Sequence, residues 1–154
     1  MTAPPSNQLS DQLKAARGSD LSAAQIYEIL EVRSAVFVVE QECAYQELDG
    51  LDLRSDTTHM WFDDDAGIVS YLRLLTEGQL IRIGRVLTRP DHRKTGASRS
   101  LMTLALQRTD PATTVVSAQS YLTDFYASLG YDISGPEFVE DGIPHVPMHR
   151  RCNA

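Results

Sequence analysis

The chain has 154 residues, 42% of them hydrophobic, with 14 basic and 21 acidic side chains and a formal charge of −7. That length suits one globular domain that can bury a core and is too short for two of ordinary size. No apolar run nears the ~20 residues of a membrane span, the first residues lack the basic start and apolar middle of a signal peptide, and the net acidity argues against nucleic acid as a main partner. A soluble, cytoplasmic protein is expected. Cys43 and Cys152 stand far apart with no CxxC or Cys/His cluster, so neither a disulfide framework nor a zinc site is favoured, and no metal is expected. The charge is uneven: residues 40–65 hold nine of the carboxylates and residues 82–99 hold six of the basic side chains. A basic anion site beside an acidic surface would suit a phosphate-bearing cofactor and a cationic second substrate.

Residues 1–20, with two prolines and little periodicity, read as a flexible arm in which Leu9, Leu13 and Ala16 allow one short strand or turn; residues 21–154 form the single domain. Ser22 followed by Gln25 is a capping-box pattern, and Ile26, Ile29, Leu30, Val36 and Phe37 share a face, which predicts a helix over about 22–37. Arg33 falls inside that apolar stripe and needs a carboxylate partner. A packed stem with an ion-paired head competes there with direct ligand contact.

The stretch that follows, VFVVEQECAYQELDGLD, reads as a packed loop. Its Glu47, Asp49 and Asp52 lack the ligand pattern of a calcium loop. They are either a solvated acidic surface or a seat for an ammonium or guanidinium group. Two apolar runs, His59 to Phe62 and Gly67 to Leu75, flank a DDDAG turn and predict a hairpin. His59 shares a side with Trp61, a position that suits a packed histidine as well as a base.

A turn at Glu77-Gly78 leads into the stretch from Ile81 to Met102. There an apolar strand breaks at Arg93-Lys94-Thr95-Gly96-Ala97-Ser98 and restarts as a helix over about 98–109. A helix N-terminus with several backbone N–H groups converging on one spot can hold a phosphate. Beyond Asp110-Pro111 come a strand at Thr114 to Ala118, a helix from Tyr121 to Leu129 closed by Gly130, and two strand-like pieces around a Gly/Pro-rich turn. Tyr126 sits at the edge of its helix's apolar arc, where a tyrosine can bury its ring and still aim its hydroxyl at a cleft. The order predicts a mixed α/β (α+β) domain, an antiparallel meander followed by a parallel strand–helix–strand crossover.

Arg93 and Gly96 match the Arg/Gln-x-x-Gly-x-Gly/Ala loop of GNAT-type N-acetyltransferases, with Ser98 where Gly or Ala is usual. Across residues 20–150 the segments RSAVFVVEQECAYQELDGLD, HMW, GRVLTRP, AQSYLTDFYASLGY and GPEFVEDGIPHVPM are similar to the ElaA-like branch of that superfamily, apart from Ala44, where proline is common. The resemblance implies a GNAT-like acyl-CoA N-acyltransferase fold, with a central mixed, mostly antiparallel sheet flanked by helices and a parallel strand splay at the cofactor site. It implies acetyl-CoA (coenzyme A) as cosubstrate, its pantetheine along Val86, Leu87 and Thr88 and its pyrophosphate on the loop formed by Arg93, Lys94, Thr95, Gly96, Ala97, Ser98 and Arg99. The Ser98 side chain would narrow the approach that a glycine permits.

Tyr126 would then protonate the leaving thiolate, and Glu47, Asp49, His59 and His145 are candidates for the base, His145 by virtue of its intrinsic pKa. Arg33, Glu47, Asp49, Asp52 and His59 would line the acceptor side. The expected reaction is direct transfer of an acetyl or short acyl group to a cationic amine; no nucleic-acid or membrane partner is expected, and a homodimer is allowed. The constellation of Arg33, Phe37, Glu47, Asp49, Asp52 and Arg73 also resembles acyl-homoserine lactone synthases, and a degenerate, non-catalytic acyl-CoA-binding protein is the third reading.

Overall fold

A computed structural model describes residues 12–152. An eight-stranded mixed sheet runs through it, with strand order β1-β2-β3-β4-β5-β8-β6 and β7 paired to β8. Its edge strand β1 (Lys14–Arg17) pairs with β2 (Thr57–Asp64), so the sheet already begins within the stretch assigned to the arm, at the short strand allowed there. The Leu9 end of that stretch lies outside the described residues. Strands β2, β3 (Gly67–Glu77) and β4 (Leu80–Thr88) form the antiparallel meander. The crossover through α2 (Ala97–Thr109) then lays β5 (Thr113–Gln119) parallel to β4. The tail gives three strands rather than two pieces: β6 (Asp132–Ile133), β7 (Phe138–Glu140) and β8 (Ile143–Arg150). Asp141 and Gly142, both at positive φ, make the two-residue turn between β7 and β8.

Helices cover both faces, each burying its apolar stripe on the sheet. On one face Leu101, Met102 and Ala105 of α2 pack on Met60, Leu72 and Ile83, and the short α3 (Thr123–Ala127) adds Tyr126 to the same core. On the other, Ile29 of α1 (Ala23–Arg33) packs with Trp61, Tyr71 and Leu87. The capping box forms as expected: the Gln25 N–H donates to Ser22 Oγ at 3.1 Å, and the Ser22 N–H donates to Gln25 Oε1 at 2.9 Å. The helix expected to run to residue 37 instead continues from Ser34 to Glu40 as a π-helix. Its wider turn rotates Val36, Phe37 and Glu40 toward one cleft, a common use of π segments.

Two local features shape that cleft. Strands β4 and β5 pair only over Leu80–Arg82 and Thr113–Val115, so they part beyond Arg82. Arg85, at φ +53°, belongs to a bulge in which Leu72 of β3 faces both Arg85 and Val86.

Candidate functional site

The parting strands open a cleft of about 710 Å³. From Ile83 to Thr88, β4 has no strand partner on its β5 side among the described residues, so its backbone groups there are available to an extended ligand. At the end of β4 the chain turns through Lys94 (φ +64°) and Gly96 (φ +84°), and Gly96 is the N-cap of α2. A left-handed N-cap aligns the following amides. The first helical bond runs from the Ser100 N–H to the Gly96 carbonyl at 3.0 Å, which leaves the N–H groups of Ala97, Ser98 and Arg99 outside the ladder. Such an array suits a phosphate, and the structure fits a CoA-type ligand in both respects.

The side chains around this turn are already engaged. Ser98 turns its hydroxyl to Thr88 Oγ1, which in turn lies 3.2 Å from Ser70 Oγ, so the residue expected to crowd the loop ties the helix start to the end of β4. The Arg99 guanidinium donates to Ser128 Oγ at 2.9 Å and lies over the Phe125 ring. Arg93 donates from Nε to the Thr88 carbonyl at 3.0 Å, while its two terminal nitrogens hold the Glu40 carboxylate at 2.7 and 2.8 Å. That fork holds the Glu40 carboxyl below the usual range even though both groups are partly exposed. Glu40 was not anticipated, because only the π turn carries it across to Arg93.

Tyr126 is 6% exposed and lines the cleft beside Leu122 and Phe125. Burial, then the neighbouring Tyr131 and Tyr121, push its hydroxyl pKa up, so it holds a proton at neutral pH. His145 of β8 lines the same cleft and stacks on Phe138, with ring centroids 5.7 Å apart. Its Nδ1 lies 2.7 Å from the Ile143 carbonyl. Since a carbonyl only accepts, Nδ1 carries a proton, which leaves Nε2 as the nitrogen that can take or give the second one.

The residues expected to line the acceptor side behave differently. Arg33 is fully buried, with Nε 2.6 Å from Glu47 and Nη1 2.5 Å from Asp52. Arg73 is 3% exposed and binds Asp49 at 2.7 Å and Asp52 at 3.0 Å, and Arg85 places Nε 3.0 Å from the Glu47 carboxylate. Three guanidiniums thus meet three carboxylates in one buried network. Desolvation pushes the carboxyls of Asp49 and Asp52 up, but the hydrogen bonds and charges of Arg73 and Arg33 outweigh it and hold both below the usual range.

His59 is fully buried; its Nε2 lies 2.8 Å from the Asp52 carbonyl and its Nδ1 2.6 Å from the Tyr71 hydroxyl. Nε2 therefore carries the proton, Nδ1 accepts from Tyr71, and burial pushes the ring's pKa down. None of Arg33, Glu47, Asp49, Asp52 and His59 lines the cleft. Their polar atoms are engaged by one another and by Arg73, Arg85, Tyr45 and Tyr71, and the acceptor side expected of them lies away from this cleft. Arg33 has the carboxylate partners that its place in an apolar stripe required.

The wall of the cleft joins His145 and Arg73, which the sequence had singled out, to Arg82, Arg85, Glu140 and Asp141, which it had not. Arg73, Arg82 and Arg85 line one side, and Glu140, Asp141 and His145 line the other. Cys43 donates from Sγ to the Asp141 carbonyl at 2.9 Å, joining residues 98 apart in the chain. For Arg82 and Arg85 a signal existed, two arginines in an otherwise apolar strand, but only the bulge tells which face each takes.

Comparison with known proteins matches these features. The family model for the acetyltransferase (GNAT) domain covers residues 18–152. A UPF0039 protein of Mycobacterium tuberculosis is 42% identical over 147 residues, covering 92% of this chain and 94% of its own length. Protein ElaA of Escherichia coli is 38% identical over 141 residues, covering 86% and 91%; its crystal structure superposes with a TM-score of 0.85 at 34% identity over 90% of this chain and 98% of its own. An acyl-CoA N-acyltransferase from Pseudomonas aeruginosa superposes with a TM-score of 0.84 at 36% identity, again over 90% and 98%.

Proposed function

Because the chain belongs to the GNAT acetyltransferase family, in its ElaA-like branch, we propose that it transfers an acetyl or short acyl group from acyl-CoA directly to an amine. The observation that carries this reading is the junction of β4 and α2. An open strand edge from Ile83 to Thr88 runs straight into a left-handed Gly96 and a helix N-terminus with free amides. Pantetheine would run along Val86, Leu87 and Thr88, and the pyrophosphate would take the amides of Lys94 to Arg99, with Arg93 exchanging Glu40 for phosphate.

The thioester supplies the activated acyl group. The chain supplies orientation and proton management. Backbone N–H groups of β4 can donate to the carbonyl oxygen as it gains charge. Tyr126 holds its proton at neutral pH and lies in the cleft, as a donor to a departing thiolate must. His145, its Nδ1 held by the Ile143 carbonyl, would take the proton of the incoming ammonium at Nε2.

Calorimetry of the chain with CoA and acetyl-CoA, followed by thiol release with a panel of amines, tests the reading. Saturable binding of acetyl-CoA and amine-dependent thiol release are expected. Absence of CoA binding at millimolar ligand would overturn it, and formation of a homoserine lactone would reassign the chemistry.

A further inference from the structure

The acceptor end of the cleft is asymmetric in a way that the acyl-transfer reading does not use. Arg73, Arg82 and Arg85 line one wall, whereas the carboxylates that pair with them, Glu47, Asp49, Asp52 and Glu77, are absent from the lining. The lining on this side therefore carries the arginines and none of the acids that pair with them. Arg73 is the most constrained of the three. Its terminal nitrogens are bound to Asp49 and Asp52, yet its buried Nε has no hydrogen-bond partner among the described residues. A buried donor of a charged group left without an acceptor is costly, and such a group in a cleft marks a place for a ligand.

The strand beside it leaves the room. In register, Arg73 of β3 faces Gly84 of β4, and a Cβ built at Gly84 would meet nothing within 4 Å. Gly84 needs no positive φ, so the glycine serves no turn there. What it leaves is a hollow in the cleft wall, flanked by Arg82 and Arg85 in sequence and Arg73 across the sheet. On the opposing wall stand Glu140, Asp141 and His145, the groups suited to an ammonium.

From this placement we infer that the acceptor is an amine that also carries a carboxylate, with the carboxylate seated over Gly84 among Arg73, Arg82 and Arg85 and the amine turned toward His145. Seating it offers Arg73 Nε, which is closed to the cleft until that side chain turns, the acceptor it lacks, and sets the amine and its counter-charge on opposite walls. The assignment rests on the amine-acceptor reading above and narrows it to amino acids or their derivatives with a free carboxylate.

The test pairs α-, β- and γ-amino acids with their carboxamides, as acceptors in acetyl-CoA-dependent thiol release and as ligands in calorimetry with the CoA-loaded chain. The carboxylates should be preferred by about tenfold or more, the scale of one charge-assisted hydrogen bond. Gly84→Val puts a branched side chain where an added Cβ meets nothing within 4 Å; with the melting temperature read alongside as the control for folding, KM and Kd should rise by about tenfold for the carboxylate series and not for the carboxamides. Equal use of acids and amides, no binding of any carboxylate, or an equal effect of Gly84→Val on both series would overturn the inference. Amine-dependent thiol release without carboxylate preference defeats this inference alone; failure to bind CoA defeats the acyl-transfer reading instead.

Discussion

The two halves of the cleft are built on different principles. The half at β4 and α2 is local: residues 83–99 supply an open strand edge, a left-handed turn and a helix N-terminus, and its groups are mostly backbone. The other half is assembled from afar. Arg33, Glu47, Asp52, Arg73 and Arg85 come from four separate segments of the chain, and Cys43 reaches Asp141. A backbone site tolerates exchange of most side chains but depends on conformation at one glycine. A side-chain network tolerates backbone change but loses its balance when one charge is removed.

Breaking the network should produce the largest change. Arg33→Met leaves Glu47 and Asp52 buried with a charge fewer to meet them, and a stability loss of about 3–5 kcal/mol is expected in urea unfolding. A loss below about 1 kcal/mol would make the network no stronger than a surface ion pair and erase the contrast. Gly96→Glu probes the backbone half. The left-handed strain and the added negative charge should weaken CoA binding by about 100-fold or more in calorimetry, with little effect on the Arg33 network. Tyr126→Phe sits between the two halves and should lower turnover by about 100-fold at unchanged CoA affinity. Unaltered turnover would remove the proton-donor role.

A gentler probe is pH. His59 is held below its usual pKa by burial, while in the unfolded chain it titrates near about 6.5. Above that value both states are neutral and stability is flat. Below it the unfolded chain takes a proton that the folded one refuses, so stability should decline as pH falls from about 6.5 toward the folded pKa. Asp49 and Asp52, depressed by their arginines, add a second decline once pH drops below about 3.9, the ordinary value of an aspartate. His59→Gln should remove the first decline only. Smallest of all, Glu40→Gln frees Arg93 from a partly exposed pair and should tighten CoA by roughly twofold to fivefold; weaker binding would show that Glu40 organises the site instead of competing for it.

Much of the fold was legible because periodicity and turn chemistry are local signals. The capping box at Ser22, the hairpin on either side of Asp65, the crossover after Gly96 and the stop at Gly130 each announce themselves within a few residues. The candidate site was legible in proportion to its locality. The strand–turn–helix could be read directly, and Arg33 declared its need for a carboxylate by lying on an apolar stripe. Which carboxylate could not be read, because pairing across 14 to 19 residues depends on how the intervening loop packs. The same limit hid the role of the acidic loop. Its charges look like a seat for a cation when counted along the chain, and become internal counter-ions once three arginines arrive from other elements. Glu40 was invisible for another reason: a π turn adds a residue to the helical repeat, and no 3.6-residue pattern anticipates it.

The bulge at Arg85 makes β4 a strand with two reading frames. Ile83 belongs to the core under α2, while Leu87, four residues on, belongs to the core under α1. In an unbroken strand those two side chains would point the same way. The extra residue resets the parity, so the half that registers with β5 and the half that borders the cleft obey opposite in-and-out rules. Deleting one residue there would not merely shorten the strand; it would turn Leu87 out of its core and bring polar neighbours in, reversing one half against the other. The number of residues at this point is therefore fixed by geometry, in a way that the turns on either side are not.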